Sequence, residues 1–442
     1  MAAALERLLN VRRQEVAPLL VSALFFFFIL SALMVLRPAR DALGMQRGIE
    51  AIRWLFFGTA FVTLLANPVF GWLVSRYRRL HFIGGTYLFF IVSLLGFYAL
   101  LMLAPQAVGE RTGQVFYVWF SVFNLFATMV FWALMADRFS LAQSKRIFPV
   151  IAVGGTLGAI AGPWLAAVLA EPLGTPNLIL VSAAFLALAI AAAWGVTRLQ
   201  PEVARPGTST EDPPAVDERA IIGGSAWEGF RSVLRSPYLL GISGYVLVLT
   251  VMATFIYFTR LQMVAALGDD LDMRTAVFAR IDLIVQVSTL LMQAFLAGHL
   301  IRRLGVPVAL ALLPAIAALG FVGLAAVGSL AMLVAFDAAF RAVQRAITRP
   351  GRETLFTVVT REDKYKSKAF TDTFVYRTGD VLGAQIDGLL ARLGAPLFAL
   401  ASFAVPLALV WGALGVWLGR AQRRRAPIAA APRAPERAAA VP

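Results

Sequence analysis

The sequence predicts an all-α integral membrane protein with twelve transmembrane helices arranged as two sets of six. Composition and hydropathy point to this class: 60% of the 442 residues are hydrophobic, only 15% are charged, and the mean hydropathy is +0.76. A soluble core needs far fewer apolar residues. Because about 20 apolar residues cross a bilayer as a helix, the spans can be read directly from the apolar stretches.

Twelve stretches have the length of a membrane span. In chain order they are Ala17–Leu36, Ile52–Val74, Phe82–Ala104, Val115–Ala136, Ile147–Leu169, Asn177–Val196, Tyr238–Phe258, Ala276–Leu300, Val306–Val327, Ser329–Ala346, Ala369–Leu390 and Ala395–Leu418. The first is too long for the apolar core of a signal peptide, so we expect it to be retained. Within it, we expect the aromatic run Phe25–Phe28 to face lipid. An even number of spans places both chain ends on one side.

The basic residues predict which side that is. Alternate connections and the two chain ends hold 29 of the 40 Lys and Arg residues, whereas the opposite connections hold 8. Lys and Arg collect on the cytoplasmic side of membrane proteins. We therefore expect a multi-pass protein of the bacterial inner membrane with both termini in the cytoplasm. This topology accounts for most of the net charge of +15, so we expect no nucleic-acid partner.

Several kinds of chemistry lack the residues they need. The chain has no Cys and two His, which leaves no disulfide, no thiolate metal site and little for any other metal centre. Neither a phosphate-binding Gly-rich loop with Lys nor a Gly-x-Ser-x-Gly elbow occurs. We predict that the protein is not an enzyme and uses no cofactor or metal.

The chain divides into four predicted regions. Residues 1–197 form an N-terminal six-helix bundle, 198–237 a cytoplasmic linker, 238–419 a C-terminal six-helix bundle and 420–442 a disordered basic tail. Within the linker, Gln200–Glu218 is a polar stretch with Pro, Gly and Ser, a composition that cannot bury a core. The last part of the linker places the apolar residues Trp227, Phe230, Val233 and Leu234 on one helical face, which predicts an amphipathic helix on the inner surface.

The two halves share a weak internal repeat. Gly71–Arg79, after the second span, matches Gly298–Gly305 after the eighth. Ser144-Lys145 opens the fifth span as Ser367-Lys368 opens the eleventh. Inside these two spans Leu157-Gly158-Ala159 matches Leu382-Gly383-Ala384. Two parallel repeats of six spans with a long central connection are typical of alternating-access transporters.

The chain resembles the major facilitator superfamily at two motifs. The first is the loop signature after the second span, matched by Gly71, Leu73, Arg76 and Arg79, with Ser75 in place of the usual Asp and Arg78 in place of the usual Gly. The second is the glycine-rich fifth-span motif, matched by Gly154, Gly158, Gly162 and Pro163. The resemblance implies a 6+6 helical fold that moves a small solute by alternating access.

A narrower resemblance is to the nucleotide transporters, the ATP/ADP translocases of plastids and obligate intracellular bacteria. It is carried by Arg37–Leu43, Gly48–Ile52, Phe131-Trp132, Lys145–Pro149 and Lys364–Asp372. The resemblance implies exchange of ATP and ADP or of a related organic anion.

This chain departs from the translocase pattern at three places. That family has Lys where Arg40 stands, an acidic residue near Phe120–Ser121 and a further Lys around Gly379–Asp380. These departures affect the residues expected to determine nucleotide specificity, and they leave the expected fold unchanged.

Charged residues inside the predicted spans are the candidate functional residues, because a charge at mid-bilayer depth is costly and usually faces a cavity or a partner. In the tenth span Asp337, Arg341 and Arg345 follow one another at i, i+4 and i+8. The predicted substrate-binding residues are Arg37, Arg40, Arg260, Arg280, Arg341 and Arg377. The predicted coupling or gating residues are Asp41, Asp337 and Asp380.

The arginines suit an anionic substrate, since a guanidinium binds carboxylate or phosphate bidentately. Arg37 and Arg40 belong to a predicted basic outer loop that also holds Arg47 and Arg53. The repeat adds Arg260, which follows Arg37 at the same offset along the chain that separates Ser367 from Ser144. Arg37 and Arg260 are therefore expected to face the same cleft.

The same residues allow other interpretations. The Asp and Arg side chains inside the spans can be structural ion pairs that fix helix packing. An intramembrane Asp can instead carry a proton, as in a proton-coupled transporter of another solute or drug, and a non-transporting membrane scaffold is the third alternative. The expected partners are a small anionic substrate, with ATP and ADP as the candidates, and membrane lipids. We expect a monomer.

Overall fold

The computed structural model describes residues 13–76, 79–103, 106–200, 226–392 and 396–430, and this part of the chain is helical nearly throughout. Its helices are α1 (Val16–Gly44), α2 (Ile49–Arg76), α3 (Arg79–Leu103), α4 (Gln106–Arg138), α5 (Leu141–Leu173), α6 (Asn177–Leu199), α7 (Ala226–Arg235), α8 (Pro237–Ala265), α9 (Leu271–Leu291), α10 (Ala297–Val327), α11 (Leu330–Val343), α12 (Arg349–Leu355), α13 (Arg361–Phe370), α14 (Tyr376–Ala391) and α15 (Pro396–Ala430).

Ten helices of the described ranges are long and apolar enough to cross a membrane. The predicted tenth and eleventh spans are not among the ten, but both are helical, as α11 and α14. Each of these helices carries a charged pair, Asp337 with Arg341 and Arg377 with Asp380, which lowers its apolar character. All twelve predicted spans therefore fall on helices, and the predicted all-α membrane fold is confirmed.

The first connection differs from the sequence prediction. α1 does not end near Leu36 but continues to Gly44, so Arg37 and Arg40 lie on the helix and not in a loop. The chain reverses only at a short 3₁₀ turn and at Gly48, whose φ of 86° suits glycine. The loop prediction was wrong because it ended the span at the first charge, whereas these charges are paired within the fold.

The chain divides into two compact units. The first consists of Met1–Glu218, Phe255–Leu290 and Ala384–Leu389, and the second of Arg219–Thr254, Leu291–Gly383 and Leu390–Pro442. The first unit thus contains α1 to α6 together with parts of α8, α9 and α14. The four regions predicted from the sequence, with boundaries at 197, 237 and 419, stay a prediction.

An aromatic core holds α1 in the first unit. Phe25 is fully buried and Phe26 nearly so. The Phe26 ring stacks on Phe131 of α4 at a centroid distance of 4.3 Å, and Phe25 contacts Tyr87 of α3 edge-on at 5.9 Å. The expectation that Phe25–Phe28 faces lipid was therefore wrong for its first two residues. Successive helical residues point about 100° apart, so four in a row cannot share one face.

A stripe of glycines lets α5 lie directly against α1. A Cβ at Gly154 would stand 2.2 Å from the carbonyl oxygen of Ala23, and one at Gly158 would stand 2.3 Å from that of Phe27. Gly162 continues the stripe one turn further. Small residues at four-residue spacing are a common means of close helix packing in membranes. The glycine-rich motif of the fifth span is thus a packing motif in this chain.

The second unit uses the same means of packing between α14 and α8. A Cβ at Gly379 would stand 1.7 Å from the hydroxyl oxygen of Thr250, and Gly383 is similarly enclosed by α8. Gly379 follows Gly154 at the same offset along the chain as Gly383 follows Gly158. The eleventh span therefore packs on the seventh as the fifth packs on the first, in agreement with a 6+6 repeat.

The amphipathic segment before the seventh span is helical, as α7. Part of its apolar face packs on α13: Val233 is 2% exposed, and the centroids of the Phe230 and Phe370 rings lie 5.6 Å apart. Leu234 is 55% exposed, and the Trp227 side chain lies outside the described residues. Ser232 also donates a hydrogen bond to Asp363 at 2.7 Å. Within the second unit, α7 thus packs against another helix, α13.

The basic tail is only partly as expected. α15 continues to Ala430, so the first part of the predicted disordered stretch 420–442 is helical, while residues 431–442 lie outside the described residues. Ala, Arg and Gln are strong helix formers. Gln422 also donates a hydrogen bond to the carbonyl of Thr354 at 2.7 Å, which ties the extension to the second unit.

The loop signature after the second span lies largely outside the described residues. α2 ends at Arg76 and α3 begins at Arg79, but the side chains from Gly71 to Arg79 are not described. The counterpart in the second half ends at Gly305, whose φ of 71° divides α10 into two helices. The eighth span therefore ends, and the ninth begins, at this glycine.

Candidate functional site

Five charged side chains of the first unit form one network, named the Asp41 cluster after its central carboxylate: Arg37, Arg40, Asp41, Arg260 and Asp282. Asp41 accepts hydrogen bonds from Arg40 Nε and Arg260 Nη2, both at 2.9 Å. Arg260 also donates from Nη1 to Asp282 at 2.8 Å, and Arg37 Nε lies 3.5 Å from Asp282 Oδ2. Arg260, Asp41 and Asp282 are at most 2% exposed, so these contacts replace hydration of the charges.

Aromatic side chains orient the same cluster. Tyr257 donates a hydrogen bond to Asp41 at 2.9 Å, and the Tyr117 hydroxyl lies 2.9 Å from that of Tyr257. The Arg40 guanidinium lies over the ring of Tyr117, 4.7 Å from its centroid, and 5.2 Å from that of Phe120. Cation–π contacts of this kind stabilise a desolvated guanidinium. Arg40 is therefore held in one orientation at the edge of the cluster.

The cluster brings together the two arginines that the repeat relates. Arg37 and Arg260 were predicted to face the same cleft because their offset along the chain equals that of Ser144 and Ser367. Both arginines contact a single carboxylate, that of Asp282. They differ in access, because the side chain of Arg37 is 18% exposed and that of Arg260 is fully buried. Arg37 and Arg40, which is 15% exposed, are thus the members that solvent reaches.

A second buried pair of the first unit joins α2 to α14. Arg53 donates from Nη2 to Asp387 at 2.8 Å and also contacts Glu50 on its own helix. Gln262 donates to the same Asp387 oxygen at 3.3 Å. Gly388 gives the arginine room, since a Cβ there would stand 2.9 Å from Arg53 Cδ. Like the Asp41 cluster, this pair holds different helices together.

Arg280 lies apart from the Asp41 cluster. Its side chain is 61% exposed and faces Glu171 at 3.4 Å. Although Asp282 is only two residues away, residues i and i+2 of a helix point in very different directions. Of the predicted substrate-binding residues, Arg280 is therefore the one whose surroundings are ordinary solvent-exposed protein surface.

The predicted residues of the tenth and eleventh spans form two intrahelical pairs in the second unit. In α11, Arg341 donates from Nε to Asp337 at 2.5 Å, and Asp337 is fully buried. In α14, Arg377 donates from Nη1 to Asp380 at 3.1 Å, with Arg377 35% and Asp380 19% exposed. Each arginine thus has a carboxylate one turn away and part of its surface accessible.

Tyr376 connects these two pairs. Its phenol lies within electrostatic range of Arg341, Arg377 and Asp380. Charged side chains of the two helices therefore act electrostatically on one phenol. We name Asp337, Arg341, Tyr376, Arg377 and Asp380 the Tyr376 cluster.

Two π-helical turns lie beside this cluster. One covers Gln344–Thr348, directly after α11, and the other covers Thr371–Val375, directly before α14. Such turns widen the helix by one residue and are frequent at functional sites. The charged pairs of the second unit are thus placed where two consecutive spans depart from regular α-helix.

Sequence reasoning missed the aromatic members of both clusters. No sequence motif includes Tyr117, Tyr257 or Tyr376, and aromatic residues are common throughout the spans. One signal was available for Tyr257, which lies three residues before Arg260 and so on the same helical face. The described residues contain no group of three or more His, Asp or Glu side chains that could hold a metal ion.

The family of the chain follows from comparison with known families. Residues 12–344 of the 442 match the family model described as Major Facilitator Superfamily. The chain belongs to the major facilitator superfamily. The broader of the two resemblances seen in the sequence is thus confirmed, while the narrower one to the ATP/ADP translocases is not.

Solved transporter structures share this major facilitator fold. A mutant of the nucleoside transporter NupG aligns with a TM-score of 0.62 and 11% identity over 92% of this chain and 99% of its own. The POT-family transporter PepTSo gives 0.61 and 13%, over 93% and 99%. A bacterial homologue of the human lysosomal transporter Spinster gives 0.56 and 13%, over 93% and 97%. A search of curated proteins finds no significant sequence match.

Fold and family together define the general activity. This major facilitator protein is a multi-pass membrane protein and a secondary transporter of small solutes. The similar structures are transporters of different kinds at 11–13% identity, so they share the fold without identifying the solute.

Proposed function

We propose that this transporter exchanges small organic anions, and nucleoside di- and triphosphates in particular, across the bacterial inner membrane. The observation that carries the proposal is that the two arginines of the Tyr376 cluster, Arg341 and Arg377, lie inside the predicted spans and each pair with a carboxylate of their own helix, at 2.5 Å and 3.1 Å. Both arginines also keep accessible surface. Guanidinium groups in this arrangement can bind a phosphate chain in bidentate steps.

The paired carboxylates favour exchange over uniport. When the anion leaves, Asp337 and Asp380 neutralise the two arginines, and when it enters, its phosphates compete with those carboxylates. The empty carrier is then stabilised by its own ion pairs and reorients slowly, whereas the loaded carrier reorients with its charges neutralised. An internal anion is therefore needed for the uptake of an external one.

We further propose that the Asp41 cluster closes the outer end of the path. Its contacts join α1 to α8 and α9, so they must break if those helix ends separate. Arg37 and Arg40, which solvent reaches, would meet an incoming anion first. They would then exchange their ion pairs with Asp282 and Asp41 for ion pairs with its phosphates. In this scheme Asp41 is the gating residue.

The narrower part of the proposal, nucleotide exchange, rests on the charge arrangement together with the resemblance to the ATP/ADP translocases. In the test, purified protein is reconstituted in proteoliposomes preloaded with unlabelled ADP. We expect uptake of labelled ATP into the loaded vesicles and little uptake into empty ones. Uptake that ignores the internal nucleotide would contradict exchange, and no uptake at all would contradict the nucleotide substrate.

Proton coupling is the second candidate function, favoured by the complete burial of the Asp337 carboxylate within a predicted span. In that case Asp337 or Asp380 would take up a proton and release its arginine. An imposed pH gradient would then drive uptake into vesicles that contain no counter-substrate. The same proteoliposomes with and without a pH gradient separate the two functions.

The proposed sidedness needs its own test. Both termini are proposed to lie in the cytoplasm, on the evidence of the distribution of basic residues. Reporter proteins fused after Arg79, Glu218 or Arg303 should then be cytoplasmic, and those fused after Gly109 or Asp270 should be external. The reversed pattern would overturn the topology and exchange the proposed inner and outer ends of the path.

A further inference from the structure

Arg352 lies outside the predicted spans and outside every motif, yet its surroundings resemble those of Arg341 and Arg377. It belongs to the short helix α12, which follows the π turn after α11. Its side chain is only 11% exposed. A buried arginine in a membrane protein needs carboxylate partners or a ligand.

Among the described residues, the two carboxylates that pair with Arg352 make their contacts at its Nη2 atom. Nη2 lies 3.3 Å from Asp372 of the second π turn and 3.7 Å from Glu353. Glu353 forms a closer ion pair with Lys368, whose Nζ lies 2.6 Å from its carboxylate. Arg352 Nε is buried and has no hydrogen-bond acceptor among the described residues. The Nε–Nη2 edge of a guanidinium is one that binds an oxyanion bidentately, and the nearer of its two carboxylates among the described residues is that of Asp372.

Electrostatics place Arg352 in the same neighbourhood as the Tyr376 cluster. The Tyr376 phenol is within electrostatic range of Arg352 as well as of Arg341 and Arg377. Arg352 follows Arg341 by about three helical turns, roughly 16 Å along a helix axis. All three guanidinium groups therefore act electrostatically on this phenol, and each has a carboxylate oxygen within 3.3 Å that neutralises it when no anion is present.

We propose that Arg352 is a third substrate-binding arginine, at the inner end of the path, and that Asp372 competes with the anion for its Nε–Nη2 edge. This inference rests on the proposed function, since it concerns the same anionic substrate. An anion that leaves Arg341 and Arg377 toward the predicted inner side is received by Arg352 while Asp372 is displaced. When the anion is released, Asp372 returns to the arginine.

The test uses the full-length protein and ADP as the probe. Arg352→Ala, Arg352→Lys, Asp372→Asn and the double variant are compared in counter-exchange and in ADP-dependent thermal stabilisation. Loss of a charge-assisted bidentate contact should raise the KM for ADP in Arg352→Ala by about ten- to a hundredfold. Arg352→Lys keeps the charge but loses the bidentate geometry of the guanidinium, so its KM should lie between those of wild type and Arg352→Ala. Asp372→Asn removes only the competitor, so its KM should be unchanged or lower.

Arg349→Ala is the matched control. Arg349 lies on the same short helix, three residues earlier, and is exposed, so its variant should keep the wild-type KM. A purely structural Arg352–Asp372 pair gives a different pattern: the two single variants would be equally impaired, and the double variant would recover. That recovery, or a normal KM in Arg352→Ala, overturns the inference. Should wild-type protein neither bind nor exchange ADP, the proposed function fails and the inference fails with it.

Discussion

The Asp41 cluster and the Tyr376 cluster contain the same residue types but connect them differently. In the Asp41 cluster, ion pairs join separate helices, as between Arg260 of α8 and Asp41 of α1, and both partners are fully buried. In the Tyr376 cluster, each arginine pairs with a carboxylate of its own helix, and Arg377 is 35% exposed. A pair between helices must break when the helices separate, whereas a pair within a helix survives any rigid-body movement. The first arrangement suits a gate and the second a binding site.

The largest effect should come from removing the arginine shared by two carboxylates. Arg260→Ala leaves Asp41 and Asp282 buried without their main partner, which should lower the free energy of unfolding by about 3–5 kcal/mol. Arg280→Ala, in the neighbouring helix α9 but exposed, should change it by less than about 1 kcal/mol. Thermal unfolding in detergent measures both. Equal melting temperatures for the two variants would show that the Asp41 cluster is not a stabilising closure.

The two halves of the repeat should rest on equivalent helix contacts. Gly154→Ala and Gly379→Ala each insert a methyl group where α5 meets α1 and α14 meets α8. Overpacking of this kind should cost about 1–3 kcal/mol at both sites. Gly96→Ala is the control, because a Cβ there meets nothing within 4 Å. A large loss at only one of the two sites would show that the halves are not packed alike.

The Tyr376 cluster should respond in transport rather than in stability. Arg377→Ala removes one partner of a partly exposed pair. The free energy of unfolding should therefore fall by less than about 1 kcal/mol, with a small fall in the melting temperature. Counter-exchange of ADP should nevertheless fall by at least about tenfold, because one guanidinium of the site is lost. If Arg377→Ala with Asp380→Ala restores both folded yield and exchange, the pair is a structural one and the site assignment is wrong.

The smallest effect on stability should come from the carboxylate of Glu353, on the short helix α12 of the second unit. Burial raises the pKa of Glu353, but the hydrogen bond from Lys368 and the charges of Lys368, Arg352 and Arg349 outweigh it and hold the pKa below its ordinary value of 4.5. A depressed pKa adds stability that is fully present above the ordinary value and is lost as the pH falls below it.

Because Glu353 is 39% exposed, the contribution should be under about 1 kcal/mol. Melting temperatures of wild type and Glu353→Gln, compared at neutral pH and at a pH below the ordinary pKa of a glutamate, measure it. The difference between the two proteins should be present at neutral pH and shrink in acid. A difference that grows toward low pH would reverse the assigned sign.

Much of the candidate site was within reach of the sequence. Arginine and aspartate inside apolar spans are rare, so Arg341, Arg377 and Asp380 could be recognised by position alone. The internal repeat related Arg37 to Arg260 although they belong to different halves of the chain. Their shared partner Asp282 was recognisable as a charge of the eighth span, but nothing in the sequence indicated which arginine it would contact, because neighbouring charges on a helix can point to opposite sides.

The sequence by itself determined the all-helical membrane class and located twelve stretches that fall on helices, since span length and apolar content are local properties that the bilayer dictates. It also determined the glycine stripes, because four-residue spacing is a property of one helix. Only the tertiary structure decided that Arg37 and Arg40 lie on a helix, that Phe25 and Phe26 are buried, and that Arg352 approaches Asp372. Each of these depends on which helix faces are brought together, and that choice is made by packing between segments far apart in the chain.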